Sequence, residues 1–142
     1  MILSDENKKI ITQEFFKVYS LMNDTNDISE KLYYFSATFA MVSRVLNIQY
    51  DPTLVIIHSV LLTSHSNINS FLSNIINTKK TFYEFPDNYF KMIEDNLKEL
   101  TIAIEQNNKT SIYEALEKYS VLGYIATGNG NYLYKKGMLK IV

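Results

Sequence analysis

Few side chains in this 142-residue chain could carry acid–base or metal chemistry, and their spacing limits what they can do. There is no cysteine, which removes disulfides, thiolate nucleophiles and thiolate-bound zinc together. The two histidines, His58 and His65, stand seven residues apart and would share one face of an unbroken helix. Metal-binding pairs usually sit four apart with a carboxylate close by, and none lies between these two. The expectation is therefore packing or surface histidines, with no metal.

Glu94, Asp95, Glu99 and Glu105 fall along one helical stretch. Lys91 and Lys98 lie three and four residues from Glu94 and Asp95, the pattern of a solvated helix face rather than a catalytic acid pair. Nothing matches a phosphate loop, a nucleophile elbow or a dinucleotide fingerprint. Gly128-Asn129-Gly130 reads as a turn ahead of a strand. We expect no enzymatic activity, no cofactor and no small-molecule substrate. Aromatic clusters at Tyr33-Tyr34-Phe35 and Phe82-Tyr83-x-Phe85 could stack bases, but read more simply as core rings with hydroxyls at its edge.

Amphipathic helices must position these groups. Ser4 can cap a first helix over about 5–22, with Asp5 and Glu6 at its positive end and Ile11, Phe15, Tyr19 and Met22 on one face. Asp27 and Glu30 form a capping box for a second. It carries Ile28, Leu32, Phe35, Phe39, Val42 and Leu46 as a stripe, with Arg44 the one charge between Leu32 and Tyr50. Asp51-Pro52 starts a third, with Leu54, Ile57, Val60 and Leu61 at helical spacing. Polar Thr63–Asn67 is expected to interrupt it before Ile68, Phe71, Leu72, Ile75 and Ile76, and 78–85 reads as a loop. After Pro86-Asp87, Phe90, Ile93, Leu97, Leu100 and Ile104 repeat as a short a/d seam. A shorter helix over about 110–122 turns Ile112, Ala115, Leu116, Tyr119 and Leu122 inward, with Gly123 as its C′ residue. Tyr132-Leu133-Tyr134 and Met138–Val142, flanking Lys135-Lys136-Gly137, predict a two-stranded hairpin.

The totals fit one globular domain: 46% apolar, 20% charged and a formal net charge of −1. No global field draws the chain to nucleic acid or an anionic membrane. The start, Met1 to Glu6, has neither the basic residues nor the apolar run of a signal peptide, and no apolar stretch approaches a bilayer span. The expectation is a soluble cytoplasmic protein without membrane contact. Thirteen lysines against one arginine suggest an AT-rich source, such as a virus or mobile element.

Residues 99–142 carry one further pattern. Glu99-Leu100 and Ala103-Ile104 precede the polar turn Asn107-Asn108-Lys109, then Thr110-Ser111-Ile112-Tyr113-Glu114-Ala115-Leu116, then Leu122-Gly123-Tyr124-Ile125 leading into the expected hairpin. This third of the chain resembles the winged helix-turn-helix family of DNA-binding domains. The resemblance implies that Lys109, Thr110, Ser111 and Tyr113 open a recognition helix. It places Lys135 and Lys136, with Lys140 beyond them, on a wing against phosphates. Residues 107–142 hold five lysines and two glutamates, a net of +3, against −4 for residues 1–106.

The expected fold is mainly all-α: an antiparallel bundle of five to six helices over 1–142, with a β-hairpin appendage at 124–142. The leading functional expectation is a non-enzymatic protein-interaction module that self-associates. Its contact surface would be the hairpin edge or a helix face, with Phe90, Ile93, Leu97, Leu100 and Ile104 as the candidate self-association seam. The alternative is a nucleic-acid binder using the basic C-terminal third.

Overall fold

A computed structural model of the chain describes residues 3–78 and 83–141, with the side chains of 74–78 not among them. Six helices run in order: α1 (Asp5–Asn23), α2 (Ile28–Ile48), α3 (Pro52–Thr78), α4 (Tyr89–Glu105), α5 (Lys109–Ile125) and α6 (Gly128–Lys135). Phe82 and Val142 of the sequence expectations lie outside the described residues, as do the Ile75 and Ile76 side chains.

The helix starts follow local capping chemistry. The Ser4 hydroxyl accepts the Asn7 amide, Asp27 accepts those of Ser29 and Glu30, and Asp51 those of Thr53 and Leu54. Each cap satisfies N–H groups that the first helical turn leaves without intrahelical partners. Asn108 does the same for Ser111 on α5. Asn88, in the left-handed region at φ 61°, turns the chain into α4.

The five long helices close into a ring. In order around it, α1 packs on α2, α2 on α3, α3 on α5, α5 on α4, and α4 on α1. The inward stripes meet in one core containing Phe15, Phe35, Leu61, Leu97 and Leu116. Of the stripe residues whose side chains are described, most are buried; Tyr19, Phe39, Leu46, Val60, Leu72 and Phe90 are partly buried and pack against the core, and Ile28 is exposed. Short connections between α1 and α2, α2 and α3, and α4 and α5 suit antiparallel neighbours.

Tyr119 of α5 sits at the centre of the ring. Its ring meets Phe35 of α2 at 5.6 Å, and its hydroxyl donates to the Ile93 carbonyl of α4 at 2.8 Å. Its own carbonyl accepts the Ser64 hydroxyl of α3 at 3.0 Å. Burial, with Glu99 adding to it, pushes the Tyr119 phenol well above its ordinary range, so it stays a neutral donor. Tyr89 repeats the device further along, its hydroxyl donating to the Leu122 carbonyl.

Three sequence expectations are corrected. Thr63–Asn67 does not break α3, because tertiary contacts hold two of its polar side chains: buried Ser64 binds α5, and His65 stacks on Phe35. Gly123 is not a C′ residue but an interior position of α5. A Cβ there would lie 2.8 Å from the Ser64 Cα, so glycine permits the close approach of α3 and α5.

The third correction concerns the tail. Among the described residues there is no strand, and the expected hairpin of 124–142 is absent. Instead Gly128-Asn129-Gly130 opens α6, capped by the Thr127 hydroxyl, which accepts the Gly130 amide. Asn131 fixes α6 from inside: its amide nitrogen donates to the Glu84 and Ile125 carbonyls, and its oxygen accepts the Glu84 amide. Gly137, at φ 72°, then ends the helix as a C′ residue. Its amide bonds the Tyr134 carbonyl and that of Met138 bonds Leu133, the Schellman pattern. Lys135-Lys136-Gly137 is thus a helix end, not a hairpin loop.

Two glycine substitutions test this packing. Gly123→Ala is expected to lose about 1–3 kcal/mol by forcing α3 and α5 apart. Gly128→Ala meets only ordinary contact with the Tyr83 hydroxyl, so it is expected to be neutral or stabilising by up to about 1 kcal/mol. Urea unfolding of both variants checks the contrast.

Candidate protein-contact surface

The expected self-association seam faces inward. Ile93, Leu97, Leu100 and Ile104 are buried in the domain's own core and Phe90 is half-buried at its edge. The a/d spacing on α4 is spent on α1 and α5, because a five-helix ring needs an apolar stripe on every member.

The residues named for nucleic-acid contact separate into three places. Lys109 and Thr110 are exposed on the first turn of α5, and Ser111 beside them is half-buried. The Lys109 ammonium lies 5.8 Å from the Tyr113 ring. Lys135 and Lys136 close α6, with Lys136 5.7 Å from the Tyr132 ring. Lys140 lies beyond α6, in a groove of about 440 Å³ that it shares with Glu114, Glu117, Lys118 and Val121 of α5. The outer face of α5 therefore carries two carboxylates among its lysines.

Among the described residues, one ion pair is buried. Lys31 of α2 pairs with Glu94 of α4 and also donates to the Met22 carbonyl at the end of α1, at 2.7 Å. Side-chain exposure is only 12% for Lys31 and 3% for Glu94. The lysine satisfies a C-terminal carbonyl of α1 while its charge meets a partner in a poorly solvated place. The pair lies on a cleft of about 640 Å³ walled by Phe71, Phe85, Tyr89 and Phe90. The sequence reading placed Glu94 on a solvated face. The signal it lacked was a long-range partner, since Lys31 is 63 positions away.

Both histidines sit at the α2–α3 junction, either side of Phe39. His58 meets the Phe39 ring edge-on at 6.3 Å and His65 meets it at 5.3 Å. His65 also stacks on Phe35 at 6.2 Å, and its Nε2 lies 3.0 Å from the Leu32 carbonyl. A carbonyl can only accept, so Nε2 carries the proton. Burial lowers the His65 pKa below the ordinary 6.5, outweighing the opposing effect of the Leu32 contact. The expected packing role for these residues matches this geometry. Among the described residues no group of three or more His, Asp or Glu could hold a metal ion.

The outer surface of α2 and α3 differs from the rest. Residues 32–78 contain two formal charges, Arg44 and Asp51, and Asp51 is fully buried as the α3 cap. The outward stripe of α2 is Tyr33, Ala37, Ala40, Arg44 and Ile48, all exposed. That of α3 is Val55, Ser59, Leu62, Ser66, Asn69 and Ser73, also exposed. Tyr33 is 75% exposed, Ile48 77% and Tyr50 67%. By contrast α4 presents Lys91, Lys98, Glu99 and Glu105, and α1 presents Glu6, Lys9 and Lys17. A water-facing helix face with no charge is unusual, whereas charge depletion marks the centre of protein contacts. The charge-free run of α3 could have been read from the sequence, but which side chains face outward could not.

No family model, curated protein or solved structure matches the chain. No helix among the described residues is long and apolar enough to cross a membrane.

Removing one partner of the buried pair should cost far more than removing both. Glu94→Gln or Lys31→Met alone is expected to lose about 3–5 kcal/mol, and Lys31→Met with Glu94→Leu to recover most of it, as measured by denaturant unfolding. His65 gives a pH prediction. Above pH 6.5 the ring is neutral folded or unfolded and stability is full. As pH falls through 6.5 the unfolded chain takes up a proton that the folded chain resists, so stability drops. Thermal unfolding should shift to lower temperature on moving from about pH 7.5 to about pH 5.5, and His65→Gln should reduce the shift.

Proposed function

We propose that this chain is a non-enzymatic protein-interaction module that self-associates through the outer face of α2 and α3. The observation that carries the reading is the near-absence of charge on that face: Arg44 is the one charge on the two outward stripes of Ala, Ser, Asn, aliphatic and tyrosine side chains, with Glu14 and Lys17 of α1 at the edge beside Ala37 and Ala40.

Two-fold pairing explains why a second copy fits best. In an isologous contact each patch meets itself, so any charge near the axis faces its own copy and repels it. A neutral face has no such penalty, while a partner of different sequence would more naturally be selected by complementary charge. Size agrees. At about 1.5 Å per residue and about 10 Å of width per helix, α2 and α3 offer roughly 600 Å² per copy. Two such faces total about 1,200 Å², the lower bound of a stable specific contact. Tyr33, Ile48 and Tyr50 supply exposed anchors, and Ala37 and Ala40 leave room for close approach.

Light scattering over a dilution series at about pH 7.5 tests the reading, which expects twice the 16.5 kDa chain mass at high concentration, insensitive to added salt. Ala37→Glu with Ala40→Glu should give a folded monomer. A wild-type monomer at every concentration rejects the reading. A monomer that bound duplex DNA with steep salt dependence, lost in Lys135→Glu with Lys136→Glu, would favour nucleic acid as the partner instead.

A further inference from the structure

We propose that acid opens this pairing, because His58 and His65 lie inside the nearly neutral contact and protonation adds buried charge to it. The inference rests on the self-association reading above and adds its regulation.

Both rings stand in the crease between the two helices that make the face, one on each side of Phe39. Both are partly exposed in the single chain. His65 lines a crevice of about 310 Å³ with Tyr33 and Ser36 of α2 and Asn69 and Ser73 of α3, open to water in the monomer and covered by a second copy. Its Nε2–H is already given to the Leu32 carbonyl. A second proton would sit on Nδ1, which water can solvate in the free chain but not under an apolar partner. Burial keeps the His65 ring neutral further into acid than an ordinary imidazole, so it is a fall in pH well below neutral that charges the face.

Few charged groups border the face. From α1, Glu14 and Lys17, of opposite sign, share a crevice with Tyr33, Ser36, Ala37 and Ala40. From α2 the nearby ionisable groups are the Tyr33 phenol and the Arg44 guanidinium, and neither is a carboxylate. Glu30, at the edge of the face, is held by the Thr25 hydroxyl. Asp51 is buried as the α3 cap. From α5, Tyr119 lies behind Phe35 with its hydroxyl committed to Ile93, and Glu117 lines the opposite flank of α3 beside Ser59 and Thr63. Among the described residues no ion pair includes either histidine. The partner brings the same face, so new charge on one copy meets Arg44 and the histidines of the other. Desolvation and repulsion then act together against the pair.

Sedimentation or light scattering at about pH 7.5 and about pH 5.5 tests this, on the wild type and on His58→Gln with His65→Gln. The wild-type dimer is expected to weaken by about tenfold or more at the lower pH, and the double variant to associate equally at both. A dimer unchanged by pH overturns the inference and leaves self-association standing. A monomer at both pH values overturns both. A double variant that weakens as much as wild type overturns the inference, since other groups then carry the effect. Far-UV circular dichroism is recorded alongside: lost helix in the wild type at the lower pH overturns it too, because unfolding then explains the dissociation. Should the double variant fail to fold, His58→Gln alone, touching only the edge of Phe39, is expected to retain a smaller pH response, and an undiminished one overturns the proposal.

Discussion

The ring depends on Tyr119, one phenol that reaches three other helices from α5. Its face lies on Phe35 of α2, its hydroxyl is bonded to α4 and its carbonyl to α3. These contacts leave α1, held between α2 and α4, to be fixed by other means. A buried hydroxyl without an acceptor would cost about 1–3 kcal/mol, so α4 must place the Ile93 carbonyl correctly for the core to close. The requirement is directional, and apolar packing alone could not impose it. Gly123, one turn along α5, completes the arrangement by letting α3 come close enough for Ser64 to bond.

The buried Lys31–Glu94 pair plays the matching part on the other side of the ring. It ties α2 to α4 over the end of α1, the helix to which Tyr119 makes no hydrogen bond. Such pairs contribute little net stability compared with apolar replacements, but they tolerate few alternative arrangements. Together the two devices select one order of helices around the ring from the several that amphipathic stripes would allow.

The same arrangement sorts the surface. Because α2 and α3 are adjacent, their neutral outer stripes form one area, while α1, α4 and α5 carry the charges that keep the remainder hydrated. A helical ring with charge withheld from two neighbouring members is organised for contact on that side. The histidines lie within that side because both sit on the α2-facing flank of α3.

Much of this was determined by the sequence alone. The periodic stripes gave five amphipathic helices and nearly all of the core. Ser4, Asp27 and Asp51 marked helix starts that capping chemistry enforces locally, and residues 32–50 already showed a single charge. Tertiary structure decided the rest, for reasons of range. The α4 stripe carries no mark of whether it meets its own chain or another, and only closure of the ring turned it inward. Thr63–Asn67 looks like a break until α5 and Phe35 supply partners for Ser64 and His65. The tail reads as a hairpin because Gly128, Gly130 and Gly137 are weak helix formers. There the contacts of Asn131 with Glu84 and Ile125, and the close seat of Gly130 against Tyr124, overrode local preference and made a helix.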